Sequence, residues 1–420
     1  MKRLFVKVAA AFALLLICLC VSNCGDQHKG SSSSTNVAEQ TTLPAPYATK
    51  SVVKECKVIG WPAGKTPVAP KGFSVTLFAS GIESPRWMYQ TPNGDILVSC
   101  SQTDREKSPN TIILLRDQNK DGIVDEQKPF LKGLNQPLGM LLLNHWFYVG
   151  NTDGVYRYPF ENDQTTITVK GEKIIDLPAG GYNNHWTRNL LANAKGSKIY
   201  VSVGSGSNNG ENGMELEINR AAILEINPDG TGQRIFADGI RNPVGMAWQP
   251  GTDILWTVVN ERDELGDELV PDYMTSVKDG AFYGWPYAYF GQHEDPRLKG
   301  QRPDLVAKTI VPDISLGAHT ASLGLAFYTQ QTFPANYHNG AFVGQHGSWN
   351  RSSFSGYKVL FIPFNNGKPG KPEDFLTGFI ADEKNNEVYG RPVGVLVTND
   401  GSLLVADDAG NKIWKISPAN

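Results

Sequence analysis

A six-bladed β-propeller is the fold this sequence predicts, and three observations predict it. The chain has 420 residues, 40% hydrophobic and 19% charged, so a sizeable core is available. Its 43 Gly and 26 Pro interrupt short Val, Ile, Leu, Tyr and Trp runs, the pattern of a large all-β unit. Second, one opening stretch recurs six times: SPRWMYQTPNGDILVS from Ser84, QPLGMLLLNHWFYVG from Gln136, HWTRNLLANAKGSKIYVSVG from His185, NPVGMAWQPGTDILWTVV from Asn242, ASLGLAFYTQQTFPANYHNGAFVGQ from Ala321 and RPVGVLVTNDGSLLVAD from Arg391. Spacings of 49 to 79 residues suit a four-stranded blade with insertions. Third, GFSVTLFAS, residues 72–80, precedes the first copy. It is expected to add a strand to the last blade and so close the ring, hiding the sheet edges.

Ahead of the repeats, residues 1–23 read as an export signal: Lys2, Arg3 and Lys7, then an apolar stretch from Val8 to Val21 that is short for a membrane span. The ending VSNC resembles a bacterial lipoprotein signal and predicts lipidation at Cys24, although Asn23 is unusual before such a cleavage point. Residues 24–51 are polar and Ser-rich without periodicity, as in a flexible tether, and the propeller domain is expected over 52–420. The protein is therefore expected in the cell envelope, exported and held to the membrane only by lipid. Loss of the leader leaves 36 basic against 42 acidic residues, which argues against a nucleic-acid partner. Cys56 and Cys100 are the only cysteines of the domain; in an exported chain they can form a disulfide or remain two thiols.

Each copy begins at an innermost strand, so the residues just before the apolar run lie at one end of a central channel. Those positions hold Ser84, Gln136, His185, Asn242, Ala321 and Arg391, preceded by Glu83, Asn135, Asn184, Arg241, Thr320 and Gly390. A ring with a His, two Arg and several amides suits a planar anionic ligand on the axis. Alternatively these groups cap strand ends around a water-filled channel.

Taken together, GIRNPVGMAW, NNHWTRNLL, QPLGM, NERDELGD with FYGWPY, HGSWNR and GRPVGV resemble the glucose/sorbosone dehydrogenases, most closely the sorbosone type, over roughly residues 65 to 418. The resemblance implies a six-bladed propeller that uses pyrroloquinoline quinone (PQQ) with Ca²⁺ to oxidise a sugar. It implies His185 as general base and Arg241 beside it, with Gln136, Asn184, Arg241, Asn242 and Arg391 against the cofactor. A second Arg often found two residues after the last of these is Val393 here, and a cofactor-contacting Lys has no counterpart, leaving His346 or Arg351 as the nearest candidates. In the family an acidic loop holds calcium through backbone carbonyls; the corresponding ERDELGDELVPD carries Asp263, Glu264, Asp267 and Glu268 as candidate metal residues.

The chemistry fits these residue types. Oxidising a hemiacetal or aldehyde hydrate removes an O–H proton as hydride leaves the adjacent carbon, and a neutral imidazole is the natural acceptor for that proton. Arg241 and a bound cation would stabilise the negative charge that develops. Of the other histidines, His319 and His346 are candidate rim residues. The clustered carboxylates of Glu261–Asp272 repel one another unless a cation sits among them. By contrast DQNKDGIVDEQ, Asp117–Gln127, opens like a calcium loop but has Lys128 where an EF-hand requires Glu, and reads as a hairpin turn. Two other functions stay open: a propeller lactonase or hydrolase with an axial metal on Glu83 and Asn135, and a non-catalytic, tethered binding propeller. The substrate is expected to be a small sugar; the electron acceptor is not encoded.

Overall fold

Residues such as Ile199–Val203 (IYVSV) carry β-branched and aromatic side chains on both faces, and every one of them is buried. Such a strand cannot sit at a surface; it must lie inside a sheet that is covered on both sides. The computed structural model, which describes residues 42–419, repeats this arrangement six times. The leader, Cys24 and the tether as far as residue 41 lie outside the described residues.

Six four-stranded antiparallel sheets follow one another along the chain. The first is Pro85–Gln90, Ile96–Cys100, Thr111–Arg116 and Glu126–Leu131. The next two run from Met140 to Asp176 and from Leu190 to Asp238. The fourth begins at Pro243–Trp248 and ends at Ile314–Ala318, and the fifth begins at Ser322–Phe327 and ends at Glu373–Leu376. The last comprises Pro392–Val397, Leu403–Asp407 and Lys412–Pro418, and its outer edge is completed by Phe73–Ser80 from the other end of the domain. That segment is the one expected to add a strand there. The Asp117–Asp125 stretch is the turn joining two antiparallel strands of the first sheet, as expected of a hairpin.

Each pair of neighbouring sheets encloses its own apolar layer. Leu97, Ile112 and Phe130 of the first sheet meet Met140, Phe147 and Val149 of the second, and at the other extreme Leu404 and Ile413 of the last meet Met88, Ile96 and Val98 of the first. The first strands of successive sheets lie side by side in cyclic order, the last against the first. The glycine of each PLG, PVG or SLG repeat explains how they come so close. A Cβ on Gly139 would collide with the backbone of Leu190, one on Gly324 with the carbonyl of Val393, and one on Gly394 with the carbonyl of Arg86. Beside these glycines, Leu138, Val244, Leu323 and Val393 form a separate buried apolar cluster.

The domain begins earlier than residue 52. Tyr47 N donates to Leu265 O at 2.7 Å and Asp267 N to Thr49 Oγ1 at 2.7 Å, so part of the stretch expected to be tether is bound to the acidic loop. Cys56 and Cys100 are both free thiols. Among the described residues no helix is long and apolar enough to cross a membrane.

Candidate active site

The ends of the first strands and the loops beside them enclose a cavity of about 270 Å³, lined by Arg86, Thr103, Asn184, His185, Trp186, Thr187, Arg241, Asn242, Asn260, Asp263, His319, Ala321, Leu323, His346, Gly347, Trp349 and Arg391. Three guanidinium groups face one carboxylate there, so the wall favours an anion.

His185 precedes the short strand Leu190–Ala192 and is 7% exposed. Its Nδ1 lies 2.9 Å from both the carbonyl oxygen and Oγ of Ser205. The carbonyl can only accept, and the Ser205 hydroxyl already donates to Ser207 O at 2.7 Å. Nδ1 therefore carries the proton, and Nε2 keeps its lone pair with no partner among the described residues. Burial, then the charge of Arg241, push the imidazole well below its ordinary value of 6.5; Arg188 and Arg220 act in the same direction. The result is a neutral ring with a free acceptor nitrogen.

Arg241 and Asn242 stand where the chain enters Pro243–Trp248. Arg241 is 1% exposed, donates from Nε to Asn208 O at 3.1 Å and from Nη2 to Asn208 Oδ1 at 2.9 Å, and lies 3.4 Å from Asp263 Oδ2. Asn242 Oδ1 is buried and has no hydrogen-bond partner. Arg391 donates to the carbonyls of His346 and Gly347, each at 2.9 Å, and its backbone N–H is held by Asp407 at 2.7 Å. His346 Nε2 bonds both oxygens of Asp408, at 2.9 and 3.0 Å, and Arg86 Nη1 reaches the same carboxylate at 2.6 Å. Burial and the nearby Arg391 lower the His346 imidazole to about 4. His319 behaves oppositely: burial works against its charge, but the 3.0 Å bond to Asp263 raises its affinity for a proton.

Thus His185, Asn184, Arg241, Asn242, His346, Arg391 and Asp263 share one cavity. Other candidates lie elsewhere. Gln136 is buried to the side, its amide N–H donating to Gln102 O at 2.9 Å. Arg351 turns to the acidic loop, pairing with Glu268 and donating to Asp267 O at 2.6 Å. Asp267 holds Ser352, and Glu264 Oε2 lies 3.8 Å from Arg297. The loop's carboxylates thus have separate partners, and no group of three or more His, Cys, Asp or Glu side chains able to hold a metal occurs among the described residues. Glu83 and Asn135 are not on the cavity wall.

Arg86, Trp186 and Trp349 were missed by sequence reasoning. For Arg86 a signal existed. Aligned copies place it level with Leu138, Val244, Leu323 and Val393, where it is the one charged residue.

Comparison with known proteins bears on the whole domain. A protein of Borreliella burgdorferi described as uncharacterized is 29% identical over 361 residues, covering 83% of this chain and 89% of its own. The aldose sugar dehydrogenase YliI of Escherichia coli is 25% identical over 278 residues, covering 62% of this chain and 67% of its own. Among solved structures, the holo form of the pyranose dehydrogenase PQQ domain from Coprinopsis cinerea superposes with a TM-score of 0.70 at 20% identity, over 86% of this chain and 98% of that one. The calcium structure of the Trichoderma reesei family AA12 enzyme gives 0.69 at 19% identity, over 84% and 97%. Both structures match in fold. The TrAA12-like family profile matches residues 67–279 and 301–419, and the chain belongs to the TrAA12-like family.

Proposed function

We propose that this protein is a PQQ- and Ca²⁺-dependent dehydrogenase that oxidises an aldose or sorbosone-like sugar, with His185 as general base, and that its six sheets are the blades of one closed propeller. The observation that carries the reading is the fixed tautomer of His185, which leaves Nε2 free in a cavity walled by Arg86, Arg241 and Arg391. Relatives named as sugar dehydrogenases support it, one as an aldose sugar dehydrogenase and two as PQQ-dependent enzymes.

The residues fit such a cofactor. A planar tricarboxylate matches three cationic side chains, and the unpartnered Asn242 Oδ1 calls for a donor from within the cavity. When bound, the quinone would supply a carbon able to accept hydride, and calcium would polarise the quinone carbonyl. His185 Nε2 takes the proton of the sugar hydroxyl while the C–H electrons leave as hydride, so the sugar loses two electrons and two hydrogens. Ser205 keeps Nδ1–H in place, and the resulting imidazolium hands its proton to solvent. Arg241, fixed by Asn208, stabilises negative charge as it develops. Asp263 is the one carboxylate on the cavity wall, so calcium would be held by it with oxygens of the loop backbone rather than by a cage of four carboxylates.

Purified protein titrated with PQQ and Ca²⁺ should gain thermal stability, lose the gain with chelator, and reduce a dye when an aldose is added. A melting temperature indifferent to both ligands, with no dye reduction, would sink the reading. We further propose envelope attachment through lipid at Cys24. Cys24→Ser should move the protein to the soluble fraction, and continued membrane association would reject that.

A further inference from the structure

We propose that Glu217, which lies outside the cavity wall, is a positioning residue for the base: through the turn Ser205–Ser207 it holds His185 in the tautomer whose Nε2 is free. What His185 then does rests on the sugar-oxidising reading above.

Burial is inverted around Glu217. Met214, Leu216 and Ile218 are 40%, 59% and 67% exposed, whereas Glu217 is the one buried residue of its short 3₁₀ turn. Exposed apolar side chains are ordinary, but a carboxylate withdrawn from water is costly unless its oxygens are occupied. They are occupied. Gly206 N donates to Oε2 at 2.7 Å and Ser207 N to Oε1 at 2.9 Å, and the Ser207 hydroxyl donates to Oε1 as well. Two successive backbone amides and a hydroxyl thus converge on one anion.

The turn so gripped is the one that holds the base. The N–H of Gly206 and the carbonyl of Ser205 belong to a single planar peptide unit. Glu217 takes one edge of that plane and His185 Nδ1 the other, the latter at 2.9 Å. Rotation of the plane would withdraw the carbonyl from Nδ1, and the ring could then carry its proton on Nε2 instead. A base protonated there cannot accept from a substrate hydroxyl.

The same turn is tied to its surroundings on both sides. Gly206 O accepts from Asn184 N at 3.0 Å, and Ser205 N donates to Arg241 O at 2.7 Å. Arg220, buried beside it, donates from Nη1 to Asn183 Oδ1 at 2.7 Å; burial lowers its guanidinium's affinity for a proton, and the charge of Glu217 opposes that. Gln in place of Glu217 offers one acceptor oxygen where the turn presents two N–H donors to two, so its amide N–H faces a donor.

Nitrogen-15 shifts of the histidine rings, measured on the purified protein without cofactor at a pH where His185 is neutral, report which ring nitrogen carries the proton. The His185 signals are those missing from His185→Gln. The wild type should show Nδ1–H alone, and Glu217→Gln and Glu217→Ala should show both tautomers. With PQQ and Ca²⁺ added, kcat for an aldose should fall about 10- to 100-fold, as a misplaced reacting group implies. KM and PQQ affinity should stay within about threefold, because Glu217 touches neither ligand. Ser207→Ala, which keeps both backbone donors, should leave the tautomer unchanged. Where Glu217→Ala fails to fold, Glu217→Gln, of equal volume, carries the test. A His185 ring that stays wholly Nδ1–H in a folded Glu217 variant overturns the proposal, and so does a wild type protonated on Nε2. A tautomer that shifts in the variants of a wild type that oxidises no sugar would uphold the positioning role and reject the dehydrogenase reading instead.

Discussion

Ser205 grips His185 twice, offering its carbonyl oxygen and its Oγ to the same Nδ1 at 2.9 Å each. The two acceptors are not equivalent. The carbonyl remains whatever residue stands at 205, whereas the hydroxyl belongs to serine.

Replacing His185 by Gln should therefore cost about 10² to 10⁴ in turnover, the usual worth of a general base, while cofactor titration changes little. Ser205→Ala keeps the carbonyl acceptor and hence the tautomer, so its loss should stay within about tenfold, one hydrogen bond's worth. Steady-state kinetics with saturating PQQ and Ca²⁺ check both. A His185→Gln enzyme within threefold of its parent would make His185 a bystander and move attention to His346.

Gly204 packs against the Asn242 side-chain oxygen and the His185 Cβ, and an added methyl would displace one or both. Gly204→Ala should cost about 1–3 kcal/mol of stability from overpacking. Its effect on turnover and cofactor affinity should exceed what so small a destabilisation implies, because the two displaced residues face the cavity. Thermal unfolding beside a PQQ titration separates the two effects.

His346 titrates near 4 in the folded protein against 6.5 ordinarily. Between those values the unfolded chain binds a proton that the folded chain refuses, so this group's contribution is fully present above about 6.5 and is lost as pH falls towards 4. The integrated effect is up to about 3 kcal/mol. Denaturant unfolding across that window should show a shallower pH dependence for His346→Asn than for the wild type. Parallel curves would contradict it.

Asp407 accepts from Trp61 Nε1 at 2.6 Å, Arg391 N at 2.7 Å, Gly410 N at 2.8 Å and Trp414 Nε1 at 3.3 Å, and it is fully buried. Asp407→Ala strands these four donors and should cost about 4 kcal/mol or more, at 1–3 kcal/mol per orphaned group. Because Arg391 loses its backbone anchor, cofactor affinity should fall in parallel. A variant as stable as the parent in calorimetry would show that water replaces the carboxylate.

What could be read from sequence followed the repeats. His185, Asn242 and Arg391 stand at equivalent points of aligned copies, so their meeting in one cavity required only that the copies pack around one axis. The strand Phe73–Ser80 was legible from its place ahead of the first copy, and it pairs with the outer strand of the last sheet. Gln136 occupies an equivalent point yet turns aside to Gln102, because a side chain's direction depends on the neighbouring loop and not on strand register. Trp349 and the scattered pairing of Glu264, Asp267 and Glu268 arise from loops that differ between copies, where no repeat constrains the geometry. The anchoring of residues 47–49 was hidden too, since a polar, aperiodic stretch looks the same whether loose or bound.

The buried quartet Leu138, Val244, Leu323 and Val393 meets the cavity at Leu323, which belongs to both, and so closes that side of it with packed apolar side chains. A chamber stoppered on that side is a cul-de-sac. In the proposed dehydrogenase, whatever carries electrons away would arrive by the same mouth as the sugar, so the two callers would alternate: the oxidised product would depart before the acceptor approached. Such taking of turns has a kinetic signature, parallel rather than converging lines when sugar and acceptor concentrations are varied together.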